Sequence, residues 1–536
     1  MSIKSYQVNI LFDVAIQRYL MQTRFENIIV LGGGTAGWLT ACILAKKLNV
    51  KDNSHVRVTL IESSDIPAIG VGEGTVPTMR QTLKLIGASE TDFFKECDAT
   101  FKQSIKFVDW LHAPSETSSH SYHHLFNYPH TPGFDLTPYW LLNKKKQNYA
   151  QAVSFQSTLC DRFLAPKKIT QREYQASAEY AYHLDASKFS QFLAKHGTEN
   201  LEINRVFATI KSVELDENDL IKTLVSDNGE QFTGDFFVDC SGFASRLIEQ
   251  ALNVKFISKA DQLLVDTAVA MQVPYADPDC EIAPYTISTA KEAGWVWDIG
   301  LTQRKGVGYV YSSAHTSHEH AEAELRLYVG ADADNLTSRK IPMKVGHREH
   351  FWYKNCVAIG LSAGFVEPLE ATALLIVEAS AKLLADKLPN HISGLPYAQR
   401  SYNEITRYAW ERVIDFIKLH YFLSKRTDSD FWLDNTNPDT VPNSLLEKLD
   451  YWRYNVPTQE DFFSKYEIFQ LENYQYVLYG MDFYTNLKGV NVRYPFMDKA
   501  TAERAKLEKR GLQLTQELNT HRELINKIKQ FGLSKI

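Results

Sequence analysis

The sequence predicts an α/β protein: a doubly wound, Rossmann-like parallel sheet joined to a mostly helical second unit. Three observations carry that prediction. Asn27-Ile28-Ile29-Val30-Leu31 is an apolar run of strand length, as expected of a strand covered on both faces in a parallel sheet. It leads directly into Gly32-Gly33-Gly34-Thr35-Ala36-Gly37-Trp38 and an apolar helix from Leu39 to Leu48. Val56 to Ile61 then reads as a second strand that ends on Glu62. Strand, glycine turn, helix, strand and acid, in that order, open a dinucleotide-binding unit.

The remaining elements follow along the chain. The loop Gly70-Val71-Gly72-Glu73-Gly74-Thr75-Val76-Pro77 precedes a helix that runs to about Leu85. Phe101 to Trp110 alternates, with Phe101, Gln103, Ile105 and Phe107 on one side and Lys102, Ser104 and Lys106 on the other. Residues 111–135 form a polar, His-rich loop. Leu201 to Leu215, Leu220 to Val225 and Phe232 to Cys240 read as further strands, and Cys356 to Gly360 as another. A helix is expected from about Glu370 to Leu388, and from about residue 397 the pattern is mainly helical and rich in Trp and Tyr. The last helix, near 500–530, carries Leu507, Leu514, Leu518 and Ile525 on one face. That is too short a repeat for a coiled coil and fits a helix capping the fold.

Composition narrows the function classes. Apolar residues at 44% supply a large core, which excludes a mainly disordered chain. A net charge of −6 argues against nucleic-acid binding, which needs a basic face. The six cysteines form no Cys-x-x-Cys, so neither zinc spacing nor a redox dithiol is present, and a reducing cytoplasm fits. His120, His123, His124, His318 and His320 lack the carboxylate or thiol spacing of a metal site, so no metal is expected. No apolar stretch is long enough for a membrane span. Residues 1–24 are read as an N-terminal extension, with Met21 as an alternative start.

The glycines at 32, 34 and 37 have separate duties. The first allows the tight turn, the second lets a pyrophosphate approach the backbone, and the third lets helix and strand pack closely. The helix N-terminus supports phosphate charge, and Glu62 is placed for ribose hydroxyls. NAD and FAD both use this turn, and it does not choose between them.

Other motifs do. Gly32 to Trp38 resembles the opening of the flavin-dependent tryptophan halogenases. Gly70-Val71-Gly72-Glu73 is similar to that family's flavin-loop motif. Trp295-Val296-Trp297-Asp298-Ile299 is similar to its Trp-x-Trp-x-Ile-Pro signature, with Gly300 where Pro is usual. Phe101-Lys102 with Ile105-Lys106-Phe107 and Trp110 resembles the segment of the family's catalytic lysine. Phe365-x-Glu367-Pro368-Leu369-Glu370-x-Thr372 resembles the segment of its catalytic glutamate. The matches run in family order from about residue 26 to 430.

The resemblance implies FAD contacts at Gly32, Gly34, Thr35, Ala36, Gly37, Glu62, Gly74, Val206, Leu361 and Leu374. Leu361 stands where flavin aromatic hydroxylases usually have an Asp on the ribityl chain. It implies that Trp295 and Trp297 wall the organic substrate off from the flavin, leaving a tunnel for oxidised halide. Lys102 would hold hypohalous acid or form a haloamine, and Glu370 would polarise that acid or take the ring proton. Backbone N–H groups of Thr372 and Ala373 would bind halide; the family usually has Ser at 371 and Gly at 373, and both are Ala here. His124 and Phe126 would line the substrate pocket, with Phe126 stacking on an indole. The stretch Phe462 to Tyr476, shorter than in tryptophan-specific members, offers only Glu467 and Glu472 as acids for a substrate amino group.

The expected organisation is an extension at 1–24, an FAD-binding α/β unit at 25–420 with interleaved substrate-site segments, and a helical substrate-covering unit at 421–536. The expected function is that of a halogenase using reduced FAD, dioxygen and halide on an electron-rich aromatic of indole or tryptophan type. With no second nucleotide motif, the reduced flavin must come from a separate NAD(P)H-flavin reductase; homodimerisation is left open. The rivals are a flavin aromatic monooxygenase, opposed by Leu361 and the Trp pair, and a non-catalytic flavin-binding protein, opposed by retention of Lys102 and Glu370.

Overall fold

A computed structural model describes residues 25–52, 55–64, 72–131, 133–143 and 147–535. The expected extension at 1–24 and the motif residues Gly70 and Val71 lie outside the described residues.

The strand Asn27–Leu31 sits between Arg57–Glu62 and Phe236–Asp239, parallel to both. Asn204–Phe207 and Cys356–Ala358 extend the parallel sheet on either side, and Trp352–Tyr353 closes it antiparallel. Ile28 to Leu31 are all buried, as their continuous apolar pattern requires. The helix Thr35–Lys47 packs against this sheet, the helix Ala186–Asn200 and the helix Thr372–Lys387. It is buried from Gly37 to Ala45, which explains a helix apolar on nearly every side.

A second sheet carries the aromatic segments. Its order is Ser338–Pro342, Thr267–Pro274, Arg304–Tyr311, Gly294–Gly300, Thr286–Lys291, Ser104–Val108 and Ser121–Leu125. A small sheet of Gly72–Gly74, Ala181–Asp185 and Thr100–Lys102 lies next to it.

Six expected elements differ. Residues 111–135, expected as a loop, contain the strand Ser121–Leu125, paired to Ser104–Val108. The expected strand from Phe232 to Cys240 is two, Gln231–Thr233 and Phe236–Asp239, in different sheets. The alternation from Phe101 to Trp110 is not one strand. Gln103 lies between Thr100–Lys102 and Ser104–Val108, which belong to different sheets, so Lys102 and Lys106 do not share a strand face. The stretch 201–215 splits into Asn204–Phe207, in the parallel sheet, and Ile210–Leu215, in a separate antiparallel sheet with Ile221–Ser226 and Gln231–Thr233. The helix expected from Glu370 begins at Thr372, because Ala371 takes a left-handed φ of +56°. The last helix is two, Met497–Glu517 and His521–Phe531, the second opened by a Thr520 N-cap.

The long helix Leu395–Phe422 runs through the expected boundary at 420 and brings Lys418, His420 and Tyr421 into the core. The final helix also reaches the interior. His521 Nδ1 donates to the Ile282 carbonyl at 2.9 Å, so Nε2 is free to accept from the Phe101 N–H at 2.9 Å. The C-terminal helix thereby grips the strand that carries Lys102.

Candidate functional site

The three glycines of the first turn separate into two kinds. A Cβ on Gly32, whose φ is +122°, would lie 2.2 Å from the Cys240 carbonyl oxygen, and one on Gly37 would lie 1.8 Å from the Gly32 oxygen. These two are demanded by the fold. A Cβ on Gly34 would meet nothing within 4 Å. Its bareness serves open space at the N-terminus of the helix Thr35–Lys47, where unpaired N–H groups gather. That space belongs to a cavity of 330 Å³ lined also by Thr35, Ala36, Gly74, Leu361, Leu374, Ala373, Trp297 and Lys102.

Glu62 is committed within the protein. It accepts from Arg205 Nε at 2.5 Å and from Trp38 Nε1 at 3.4 Å. Val206 stands one strand further out, opposite Ile61, and does not line the cavity.

Trp295 and Trp297 project from Gly294–Gly300 to the same side, their ring centroids 6.4 Å apart at 62°. The Trp297 ring lies directly on Gly308 of the next strand, where any Cβ would come within 2.2 Å of it. Trp297 lines the cavity, and Trp295 is buried behind it. Trp295 Nε1 donates to Glu367 Oε2 at 2.6 Å, and Tyr421 Oη donates to the same oxygen at 2.6 Å.

Lys102 is 1% exposed and its ammonium nitrogen sits 5.5 Å from the Phe126 ring centroid. Burial lowers its pKa to about 7, against the attraction of Glu370. Glu370 is also 1% exposed. Its Oε1 lies 2.9 Å from His124 Nδ1 and 2.7 Å from His420 Nε2. Burial alone would raise its pKa, but the charge and hydrogen bonds of the two imidazoles prevail and hold it at about 2. His124 Nε2 continues to Asn473 Oδ1 at 3.1 Å. The structure thus places Lys102 beside Phe126 and within the field of Glu370, and His124 against Glu370. It binds His124 to Glu370, which the expected role as pocket lining did not include.

Of the two acids on the 462–476 stretch, Glu467 is spent. It is 3% exposed and takes Lys448 at 2.8 Å and Tyr408 at 3.0 Å. Glu472 is half-buried beside the cluster, accepts from Asn473 Nδ2 at 3.2 Å, and has its pKa raised by burial. Thr372 and Ala373 open the helix Thr372–Lys387, and Ala373 lines the cavity. Of the five histidines weighed for metal, His123 bonds Ser104 and Asp161, and His318 bonds Tyr311. Among the described residues the one group with metal-ligand proximity is Glu292, His320 and Glu324. Glu292 and His320 there are exposed side chains, a kind of cluster common without an ion.

Sequence reasoning missed His420, Glu367 and Asn473. Glu367 belongs to the same Phe365-to-Thr372 segment as Glu370, three residues before it, and that adjacency is its signal in the sequence. His420 and Asn473 lie 50 and 103 residues beyond Glu370 in sequence, so only the fold brings them together.

The described arrangement has known counterparts. The family model described as tryptophan halogenase matches residues 27–491. The tryptophan 6-halogenase SttH of Streptomyces toxytricini is 34% identical over 476 residues, covering 85% of this chain and 89% of its own. The tryptophan 7-halogenase RebH of Lentzea aerocolonigenes is 32% identical over 487 residues, covering 86% and 90%. The crystal structure of a tryptophan halogenase from Shewanella frigidimarina NCIMB 400 superimposes with a TM-score of 0.93 at 40% identity, covering 96% of this chain and all of the other.

Proposed function

The chain belongs to the tryptophan halogenase family and is a flavin-dependent halogenase, and on that premise we propose how its own residues do the work. FAD would lie with its pyrophosphate over Gly34 and the Thr35–Ala36 N–H groups, and with Gly74, Leu361 and Leu374 along the cavity. The fit rests on Gly34, where the room that a side chain would take is open and faces helix N–H groups. When bound and reduced by a separate NAD(P)H-flavin reductase, FAD would supply, with dioxygen, the oxidising equivalents that turn halide into hypohalous acid.

The observation that carries the reading is the position of Lys102. It lines the same cavity as the glycine turn, and it also meets Phe126 and the field of Glu370, neither of which lines that cavity. A group so placed can receive hypohalous acid from the flavin side and present it to an arene on the other. Phe126 supplies a face for that arene. Glu370 supplies a carboxylate oxygen for the ring proton. Trp297, backed by Trp295, keeps the arene out of the flavin space. The first-turn N–H groups of Thr372 and Ala373 would hold halide. Glu62 would serve FAD through the Arg205 and Trp38 contacts that fix it beside Gly33, and Val206 only as packing under it.

The relatives compared above are named for acting on tryptophan. For this chain an indole ring is the supported substrate element. The test is an aerobic incubation with FAD, a flavin reductase, NADH and bromide over indole and tryptophan, read by mass spectrometry. A bromine isotope pattern on the arene is the expected result. An added oxygen without bromine, or no product from any indole, overturns it.

A further inference from the structure

His420 is wholly buried and touches Glu370, although it does not line the cavity. Its two nitrogens are both engaged. Nδ1 lies 2.8 Å from the Phe416 carbonyl oxygen, one helical turn earlier. A carbonyl can only accept, so Nδ1 carries a hydrogen. Nε2 lies 2.7 Å from Glu370 Oε1. With neither partner protonated along that line, two lone pairs would face each other at hydrogen-bond distance in a site that excludes water. One proton must therefore occupy the line between Nε2 and Oε1.

The other side of Glu370 points the same way. His124 Nδ1 approaches the same Oε1, and His124 Nε2 faces Asn473 Oδ1. The orientation of that amide is fixed by Asn473 Nδ2 donating to Glu472 Oε1 at 3.2 Å. Both imidazoles therefore crowd onto one carboxylate oxygen, and neither uses Oε2. The rings of Phe107, Trp110 and Phe416 lie 4.9, 6.2 and 5.1 Å from His420. Of the two hydrogen-bond partners of His420, the Phe416 carbonyl cannot pass a proton on, and Glu370 can.

We propose that His420 is a positioning residue that stores one proton for Glu370, which lends it to the departing oxygen and recovers it from the arene. This rests on the halogenase reading above. Hypohalous acid, made by the reaction already proposed, is the co-reactant. The carbon–halogen bond forms from a ring electron pair as the halogen–oxygen bond breaks. That bond's electrons leave on oxygen, which takes the stored proton through Glu370 and departs as water. The ring C–H bond then breaks, its electrons restore aromaticity, and its proton passes to Glu370 and refills the store. The arene is oxidised by two electrons and the halogen reduced by two. Net, arene and hypohalous acid give haloarene and water.

The test has two parts on the full-length protein. First, proton NMR of 15N-histidine-labelled protein, with and without FAD, should show a far-downfield, exchange-protected resonance. His420→Gln and Glu370→Gln should each abolish it. Second, His420→Gln keeps a donor toward Glu370 but cannot hand over a proton. Its arene bromination should fall by about 10²-fold, the scale of a lost acid–base group, with KM for indole little changed. Hypohalous acid trapped by a thiol scavenger should persist. Where the Gln variant does not fold, His420→Asn takes its place, and the wild-type resonance still decides. Absence of the resonance in wild type overturns the store, as does a variant brominating within twofold of wild type. Wild-type protein that brominates no indole sinks the halogenase reading instead, and leaves the resonance to judge the proton.

Discussion

Glu367 and Trp295 share a 2.6 Å hydrogen bond inside the core, and the same carboxylate oxygen takes Tyr421. Tyr421 follows His420 in the chain, and Glu367 precedes Glu370 by three residues. One stretch of helix thus touches both Glu367, which holds Trp295, and Glu370. Glu367 Oε1 has no hydrogen-bond partner among the described residues, and buried Lys418 faces it through space.

Glu367→Leu should leave the Trp295 N–H and the Tyr421 O–H buried and unpaired, at a cost of about 1–3 kcal/mol each. Glu367→Gln keeps an acceptor and should cost less. Burial raises the Glu367 pKa to about 7, against its hydrogen bonds and Lys418. The folded state therefore keeps a proton that the unfolded chain loses above about 4.5. Stability from this group falls as pH rises from about 4.5 to about 7 and is level beyond. Lys418, lowered by burial to about 8, acts in the opposite direction and only at higher pH. Urea midpoints of wild type and Glu367→Gln across pH 5–8 should converge as the pH falls. Parallel curves over that range would mean that Glu367 does not titrate there.

Lys102 invites a pH experiment on function. Burial lowers its pKa to about 7, so above that pH the amine is mainly neutral and nucleophilic. If it captures halogen as an amine, bromination should rise as pH increases through about 7 while flavin oxidation does not follow that curve. Lys102→Ala should abolish arene bromination and leave trapped hypohalous acid near the wild-type amount. Stopped-flow flavin oxidation beside product yield distinguishes these. A bromination rate that falls with rising pH would assign the work to the ammonium form.

The glycine turn gives a substitution without a structural penalty. A Cβ at Gly34 meets nothing within 4 Å and φ there is −74°, an ordinary backbone angle. Gly34→Val should therefore fold with an unfolding midpoint close to wild type, yet bind FAD at least about tenfold more weakly, because its branches occupy the pyrophosphate's place. Gly37→Val should instead fail to fold, since its Cβ would collide with Gly32. Fluorescence titration with FAD beside a thermal melt checks both. Unchanged FAD affinity in folded Gly34→Val would remove the turn from the cofactor site.

Much of this was legible in the sequence because the signals are local. Asn27 to Glu62 is one continuous βαβ unit whose strand, turn and helix each have their own pattern. Trp295 and Trp297 announce one face by strand spacing alone. What escaped notice depends on distant contacts. The alternation from Phe101 to Phe107 reads as one strand, but Gln103 Nε2 donates to the Leu164 carbonyl and its backbone N–H to Pro284, which divides the run between sheets. Glu370 reads as a helix start, but the left-handed Ala371 shifts the first turn to Thr372 and frees Glu370 to meet His124 and His420. No periodicity encodes either imidazole's partner.

Substrate preference follows from the acids of the 462–476 stretch. A free carboxylate opposite the ring would favour an amino acid over bare indole, because a charge-assisted bond to the ammonium is stronger than a neutral one. Glu467 cannot serve, since Lys448 and Tyr408 already occupy it in the core. Glu472 is engaged by Asn473, and burial raises its pKa, which disfavours the charged form an ammonium would need. Recruiting it would also release the Asn473 amide that orients His124 against Glu370. Indole should then react at least as readily as free tryptophan, and Glu472→Gln should change the tryptophan-to-indole ratio of kcat/KM by less than about threefold, below the scale of one charged hydrogen bond. Competition between the two substrates in one tube gives that ratio directly. A preference for tryptophan of about 10²-fold that collapses in Glu472→Gln would show that Glu472 binds the ammonium and that the pocket is closed around it.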